Sequence, residues 1–130
     1  MDATEPPAVL VVEDEPAVRE LITDALRDEG YRVLEAANGH TAIRAVNQPS
    51  PTAPCPDLVL LDVQLPGIDG LQVLQQLAAP GGRVPVVVMS TSPEHLTAAQ
   101  AAGADAVLPK PFELDRLVGV VDACCPQAPR

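Results

Sequence analysis

Four apolar runs in this 130-residue chain break off at a polar group. Glu13-Asp14 follows Val9 to Val12, Asp62 follows Leu58 to Leu61, Ser90 follows Val84 to Met89, and Lys110 comes shortly after Asp105 to Leu108. If the first and third runs lie side by side, Glu13, Asp14 and Asp62 crowd at one edge and resist ionising together, a conflict that a hard cation relieves. Magnesium suits such a rim. It takes oxygen ligands, keeps several waters and commonly binds through one or two carboxylates plus a phosphate oxygen. Phosphoryl transfer asks for a nucleophile in line, a metal and a cation on the equatorial oxygens, and a hydrogen-bond donor. Asp62, Mg²⁺, Lys110 and Ser90 would supply those four parts. Read singly, each residue also has a plainer explanation. Asp14 could cap a helix ahead of Pro16, Glu13 and Glu15 could be favourable charges at its N-terminus, Ser90 could be a cap and Lys110 a solvated lysine. Asp62 resists such a reading, because Asp69 already stands at the cap position of the next helix. The chemistry rests on their joint occurrence at successive strand ends.

The elements between these residues can be read from periodicity. Val9 to Val12 is a continuous apolar run of the kind found in strands buried on both faces. Pro16 opens a helix in which Val18, Leu21, Ile22, Ala25 and Leu26 recur at helical spacing, and Gly30 stops it. Arg32 to Glu35 reads as a second strand, Asn38-Gly39 as a break, and about His40 to Asn47 as a second helix with Ile43 and Val46 inward. Gln48 to Pro56, with four prolines, is a surface connection. Leu58 to Leu61 is the third strand, and Pro66-Gly67 turns the chain into a helix capped by Asp69, with Leu71, Leu74 and Leu77 as its buried stripe. Val84 to Met89 is the fourth strand, with Pro85 near its start. Ser92-Pro93 begins a short Ala-rich helix that Gly103 ends, Asp105 to Leu108 is a weaker fifth strand, and Leu114, Leu117, Val118 and Val121 mark the last helix. Strict alternation of this kind implies an α/β fold with right-handed crossovers. The architecture assumed for such a chain is a flavodoxin-like (βα)5, doubly wound five-stranded parallel sheet in the order 2-1-3-4-5, which would make the first and third strands neighbours. In such sheets function sits at the carboxyl ends of the strands, near the point where the order reverses.

Bulk composition narrows the field. Apolar residues make up 47% and charged residues 20%, the balance of a folded globular domain. Tyr31 and Phe112 are the only aromatics, so Val, Leu, Ile and Ala must fill the core. A net charge of -10 repels nucleic-acid phosphates and anionic membranes, so binding to neither is expected. No stretch approaches the roughly 18 apolar residues of a membrane span, and Met1 to Pro7 lacks a signal-peptide core, so the expected location is cytoplasmic. Cys55, Cys124 and Cys125 form neither a disulfide framework nor zinc spacing and read as buried or idle thiols. Residues 1–7 read as an N-terminal tail, 8–123 as one domain, and 124–130 as a C-terminal tail or the start of a linker.

Four signatures occur in order: Val9-Leu-Val-Val-Glu-Asp-Glu15, Asp57-Leu-Val-Leu-Leu-Asp-Val-Gln-Leu-Pro-Gly-Ile-Asp-Gly70, Val86-Val-Val-Met-Ser90 and Gly103-Ala-Asp-Ala-Val-Leu-Pro-Lys-Pro-Phe112. Over about residues 8 to 123 this pattern resembles the receiver domains of bacterial two-component response regulators. The resemblance implies that Asp62 is the phospho-acceptor, taking a phosphoryl group from a histidine kinase or histidine phosphotransfer protein to form a 4-aspartylphosphate. It implies Glu13 and Asp14 as an acidic pair, with Asp14, Asp62 and the backbone carbonyl of Gln64 holding Mg²⁺, or Mn²⁺ in its place. Lys110 would pair with a phosphoryl oxygen, and its bond to Pro111 would be cis. Ser90 would swing to the phosphoryl group, shifting the loop and helix after the fourth strand. Such a chain is a signalling module rather than an enzyme, catalysing only its own phosphoryl transfer and acyl-phosphate hydrolysis. The partners implied are the phosphate donor, a downstream protein or fused output domain, and a phosphorylation-linked homodimer.

Two positions depart from the family pattern. Relatives usually carry Ala or Gly where this chain has Thr91, whose branched side chain narrows access to the acyl phosphate. The aromatic that often reports movement of the hydroxyl residue lies three positions before the lysine, and Val107 stands there. The switch is then carried by the fourth helix and the sheet edge alone, or is weak. The missing aromatic is the main support for an alternative, a pseudo-receiver acting as a phosphorylation-independent protein-interaction module, against which the intact Asp14, Asp62, Ser90 and Lys110 argue. Two enzyme readings fit less well. A haloacid-dehalogenase-like phosphatase needs a second Asp where Gln64 stands, and Glu13-Asp14-Glu15 would repel a flavin phosphate.

Overall fold

The computed structural model describes residues 6–48, 55–65, 69–77 and 84–125. Most of the expected Gln48 to Pro56 connection, the Pro66-Gly67 turn and most of both expected tails lie outside the described residues. Strands and helices alternate as β1 Ala8–Val12, α1 Pro16–Asp28, β2 Arg32–Ala36, α2 Gly39–Asn47, β3 Leu58–Asp62, α3 Gly70–Leu77, β4 Val86–Ser90, α4 Pro93–Ala101, β5 Ala106–Pro109 and α5 Leu114–Cys124. All pairings are parallel. The sheet order is β2-β1-β3-β4-β5, the doubly wound arrangement expected from the sequence.

The continuous apolar runs occupy the centre of the sheet. Every residue of β1, β3 and β4 is buried, whereas the edge strands β2 and β5 are only partly covered. Alternate residues feed two cores. Val9, Val11, Leu58, Leu60, Val87 and Met89 pack under α1 and α5. Leu10, Val12, Val59, Leu61, Val86 and Val88 pack under α2, α3 and α4. Both cores are almost wholly aliphatic. Tyr31, 3% exposed, sends its hydroxyl to Asp122 Oδ1 at 2.5 Å, tying the start of β2 to α5.

Local chemistry accounts for the element boundaries. Asn38 Oδ1 accepts from the Thr41 N–H at 2.8 Å, which starts α2 one residue earlier than its apolar spacing suggests. Asp57 Oδ2 accepts from the Ala8 N–H, and Asp105 Oδ2 from the Val86 N–H, each at 2.8 Å. These two aspartates fix the starts of β1 and β4. The Asp105 bond places the beginning of β4 at Val86, beyond Pro85, rather than at Val84. In α3 the buried residues are Gly70, Val73, Leu74 and Leu77, so Val73 replaces Leu71, which is only half-buried, in the expected stripe. Gly30 and Gly103, at φ 99° and 106°, occupy the left-handed region that ends α1 and α4. The cysteines divide, with Cys125 buried in the core, Cys124 half-buried and Cys55 exposed. Among the described residues no helix is long and apolar enough to cross a membrane.

One buried group is poorly matched to its surroundings. Thr23 on α1 is 2% exposed, and among the described residues its hydroxyl has no hydrogen-bond partner. A buried unsatisfied hydroxyl costs about 1–3 kcal/mol. Thr23→Val keeps the branched shape and removes that cost, so it should raise the urea midpoint by the equivalent of about 1 kcal/mol. An unchanged or lowered midpoint would contradict this account.

Candidate functional site

The strand ends converge on one rim. β1 and β3 are hydrogen-bonded neighbours, and β3 pairs with β4 so that Asp62 sits opposite Met89, one residue before Ser90. β4 pairs with β5 so that Ser90 sits opposite Pro109, and the Lys110 N–H donates to the Ser90 carbonyl at 2.8 Å. The residues with chemistry are therefore fixed by backbone ladders. Among the described residues four polar side chains are buried, and three of them, Glu13, Asp62 and Ser90, are on this rim.

Lys110 organises the rim. Its Nζ lies 3.1 Å from Glu13 Oε1 and 3.1 Å from Asp62 Oδ2, and only 20% of its side chain is exposed. Asp62 Oδ1 accepts from the Gln64 N–H at 3.0 Å, which fixes the carboxylate from its other side. Glu13, Asp14 and Asp62 each bring a carboxylate oxygen within 4.8 Å of the other two. The all-oxygen donor set suits a hard cation such as magnesium, which would draw its ligands in to about 2.1 Å. Asp14 is exposed at the mouth, while Glu13 and Asp62 lie at the base. A cavity opens over them, lined also by Gln64, Thr91, Lys110 and Phe112.

The electrostatics follow from this crowding. Burial pushes the Glu13 carboxyl above its ordinary 4.5, the bond from Lys110 pulls it down, and repulsion from Asp62 raises it again, with a net rise. Burial works against the charge on Lys110, but its bonds to Glu13 and Asp62 outweigh that and hold its pKa above the ordinary 10.5.

The plainer readings of single residues fail here. The N-cap position of α1 is held by Glu15 without a side-chain cap bond, so Asp14 caps nothing. The cap of α4 is Ser92, whose Oγ accepts from the His95 N–H at 3.3 Å, and not Ser90. Lys110 is paired rather than solvated, and the Lys110–Pro111 peptide is cis. Ser90 does not line the cavity; its Oγ accepts from the Ser92 N–H at 3.0 Å and faces His95.

Two contributors escape a reading by strand ends alone. Arg19, one turn into α1, donates from Nη1 to the Glu13 carbonyl at 2.7 Å and from Nε to Glu35 Oε1 at 3.1 Å. It pins the β1–α1 loop to β2. His95, in the first turn of α4, brings Nδ1 to 3.5 Å from Ser90 Oγ. The only hint of Arg19 in the sequence is a lone basic residue close behind an acidic run, and nothing in the spacing marks His95.

The response regulator receiver domain model matches residues 9–122, nearly the whole chain. This chain belongs to that family. The response regulator MprA of Mycolicibacterium vanbaalenii is 39% identical over 115 residues, which cover 87% of this chain and 48% of that protein. MprA of Mycobacterium leprae is 38% identical over 117 residues, covering 88% of this chain and 49% of that protein. The chain thus spans about half the length of these curated relatives. The receiver domain of NtrX from Brucella abortus superposes with a TM-score of 0.80 at 34% identity, covering 90% of this chain and 97% of that one. The receiver domain of the sensor histidine kinase PA1611 from Pseudomonas aeruginosa superposes with a TM-score of 0.78 at 29% identity, covering 92% and 98%. That structure has a magnesium ion coordinated in its active-site cleft.

Two outcomes follow from the receiver geometry. A Cβ on Gly70 would lie 2.5 Å from both the Cα and the carbonyl oxygen of Val63, the residue after Asp62. Gly70→Ala must displace the β3–α3 connection and should cost roughly 1–3 kcal/mol in urea unfolding. The second concerns pH. The folded pKa of Glu13 lies above its ordinary 4.5, so its contribution to stability is complete below that value and is lost as the pH rises through the folded pKa. Glu13→Gln removes that loss. In EDTA, the variant should gain stability over the unsubstituted protein as the pH climbs from 4.5 into the neutral range, and a difference independent of pH would refute the assignment.

Proposed function

We propose that this receiver accepts a phosphoryl group on Asp62 from a phosphohistidine partner and uses the added charge as a signal. The observation that carries the reading is the Asp62 carboxylate, held at the base of an open acidic cavity by Lys110 on one oxygen and the Gln64 N–H on the other. In the transfer an Asp62 oxygen attacks phosphorus, the P–N bond of the phosphohistidine breaks as the P–O bond forms, and an acyl phosphate results. The donor is a histidine kinase or a histidine phosphotransfer protein.

Asp14, Asp62 and the Gln64 carbonyl would hold a divalent cation, Mg²⁺ or Mn²⁺, with Glu13 supporting it. Bound there, it would neutralise charge on the phosphoryl oxygens. Lys110 supplies the second positive charge. Its ammonium already touches Asp62 and needs only a small movement to meet a phosphoryl oxygen, while Glu13 keeps it aimed. Ser90, on the adjacent strand, donates its hydroxyl to the same group. The exposed Thr91 stands at the cavity edge and narrows the approach. The chain acts on itself in this cycle and turns over no external substrate beyond its phosphate donor. The output goes to a protein partner, a fused domain or a second copy through α4, β5 and α5. The relatives named as response regulators support this reading.

Acetyl phosphate with Mg²⁺ should add one phosphoryl group per chain, read by intact mass. Asp62→Asn or EDTA should abolish the gain, and Lys110→Met should slow it by roughly a hundredfold, as expected for loss of one preorganised charge. Uptake that persists in Asp62→Asn would sink the assignment. Failure of the unsubstituted protein to accept phosphate would favour a phosphorylation-independent interaction module.

A further inference from the structure

Ser90 is 1% exposed, and its hydroxyl is engaged with Ser92 and His95 and does not line the cavity over Asp62. Its oxygen already accepts the Ser92 N–H at 3.0 Å, and a buried hydroxyl must also place its own proton. Among the described residues the acceptor within reach is His95 Nδ1, at 3.5 Å, the outer limit of a hydrogen bond and one small side-chain rotation from a good one. If His95 donated instead, the Ser90 proton would have no partner among the described residues. An arrangement that satisfies the Ser90 proton would put the imidazole proton on Nε2 and leave Nδ1 to accept.

His95 is also wired to the helix. Its backbone N–H donates to Ser92 Oγ, the α4 cap, so the ring and the cap belong to one turn. A closed circuit results, running from Ser90 Oγ to the Ser92 N–H, from Ser92 Oγ to the His95 N–H, and from the His95 ring back to Ser90. Val107, beside β4 on the sheet face that packs under α4, offers no hydrogen-bonding group to that circuit.

We propose that His95 is a positioning residue that holds the Ser90 hydroxyl proton in the resting receiver and loses it when Ser90 turns to a phosphoryl group on Asp62, so that α4 is informed through an imidazole. This rests on the phosphoacceptor reading above. It adds a named element to which the signal passes and a second state of Ser90 that must be broken on activation. Removing a resting-state restraint should make the phosphorylated form easier to reach. A single neutral hydrogen bond corresponds to a change of about two- to tenfold, and the long separation here favours the lower end.

The chain has two histidines, and His40, exposed on α2, serves as an internal control. Histidine-labelled protein should show the Nε2–H tautomer for His95 in ¹H–¹⁵N spectra, and Ser90→Ala should shift His95 Nδ1 while leaving His40 unmoved. Adding Mg²⁺ and acetyl phosphate should move His95 Nδ1 in the same direction as Ser90→Ala does, with intact mass reporting the acyl phosphate in the same sample. His95→Leu should bind beryllofluoride with Mg²⁺ about two- to fivefold more tightly, and His95→Gln, which retains an acceptor, should return toward the original affinity. Acyl phosphate on Asp62 without a response from His95 overturns the proposal and leaves the phosphoacceptor reading standing. Absence of acyl phosphate overturns both. An Nδ1–H tautomer in the resting protein also overturns the role given to His95, whatever happens at Asp62.

Discussion

Glu13 and Asp62 are buried carboxylates that meet at the carboxyl end of two adjacent strands, and a single ammonium, Lys110, lies 3.1 Å from each. Two like charges so placed repel, and burial penalises both. The structure tolerates them because Lys110 is delivered from β5 by the same sheet that delivers the acids. Its backbone N–H is bonded to the Ser90 carbonyl, so its position follows from the β4–β5 register. Every other feature of the rim is arranged around this balance. Arg19 holds the Glu13 carbonyl, the Gln64 N–H holds Asp62, and Asp14 stays in solvent where its charge costs little. Under the proposed function, a phosphoryl group entering such a site would meet a cation already largely buried and aimed, leaving little reorganisation for the transfer.

The same balance explains why the fold is built as it is. Central strands buried on both faces make the sheet rigid, and a rigid sheet is needed to hold charges within hydrogen-bonding distance across three ladders. The apolar composition of β1, β3 and β4 is thus a requirement of the site as well as of the core. Asp57 and Asp105 serve from the opposite end by tying the starts of β1 and β4, which sets where each strand finishes. Moving a strand by one residue would turn its polar terminus to the other face.

Much of this was legible in the sequence because it depends on order along the chain. The alternation of strands and helices, the placement of Glu13, Asp62, Ser90 and Lys110 at strand ends, and the stops at Gly30 and Gly103 all follow from apolar periodicity and turn residues. The strand order, by contrast, is assumed from the flavodoxin-like pattern and is fixed only by the pairing of the strands. What escaped was set by side-chain direction or by tertiary contact. Leu71 and Val73 both fit a helical stripe, and only the orientation of α3 against the sheet decides that Val73 is the buried one. Arg19 matters because it reaches back to the Glu13 carbonyl and across to β2, which helical spacing on α1 does not encode. His95 meets Ser90 only because Ser92 caps α4 at a particular angle. In the sequence it is simply a histidine near a helix start.

The helices are not anchored equally, and this bears on where a signal can go. α3 buries four residues and α1 three, whereas α4 buries only Ala99. Elements with few buried apolar groups open or shift at least cost, and those that relay a signal are drawn from that end of the stability range. α4 is also the element joined to Ser90 through Ser92 and His95. Ser90, the hydroxyl that the proposed function turns toward Asp62, is therefore coupled to the helix with the fewest buried residues among those described. A small rotation of one buried side chain can be felt there without disturbing the strands that keep Asp62 and Lys110 in register.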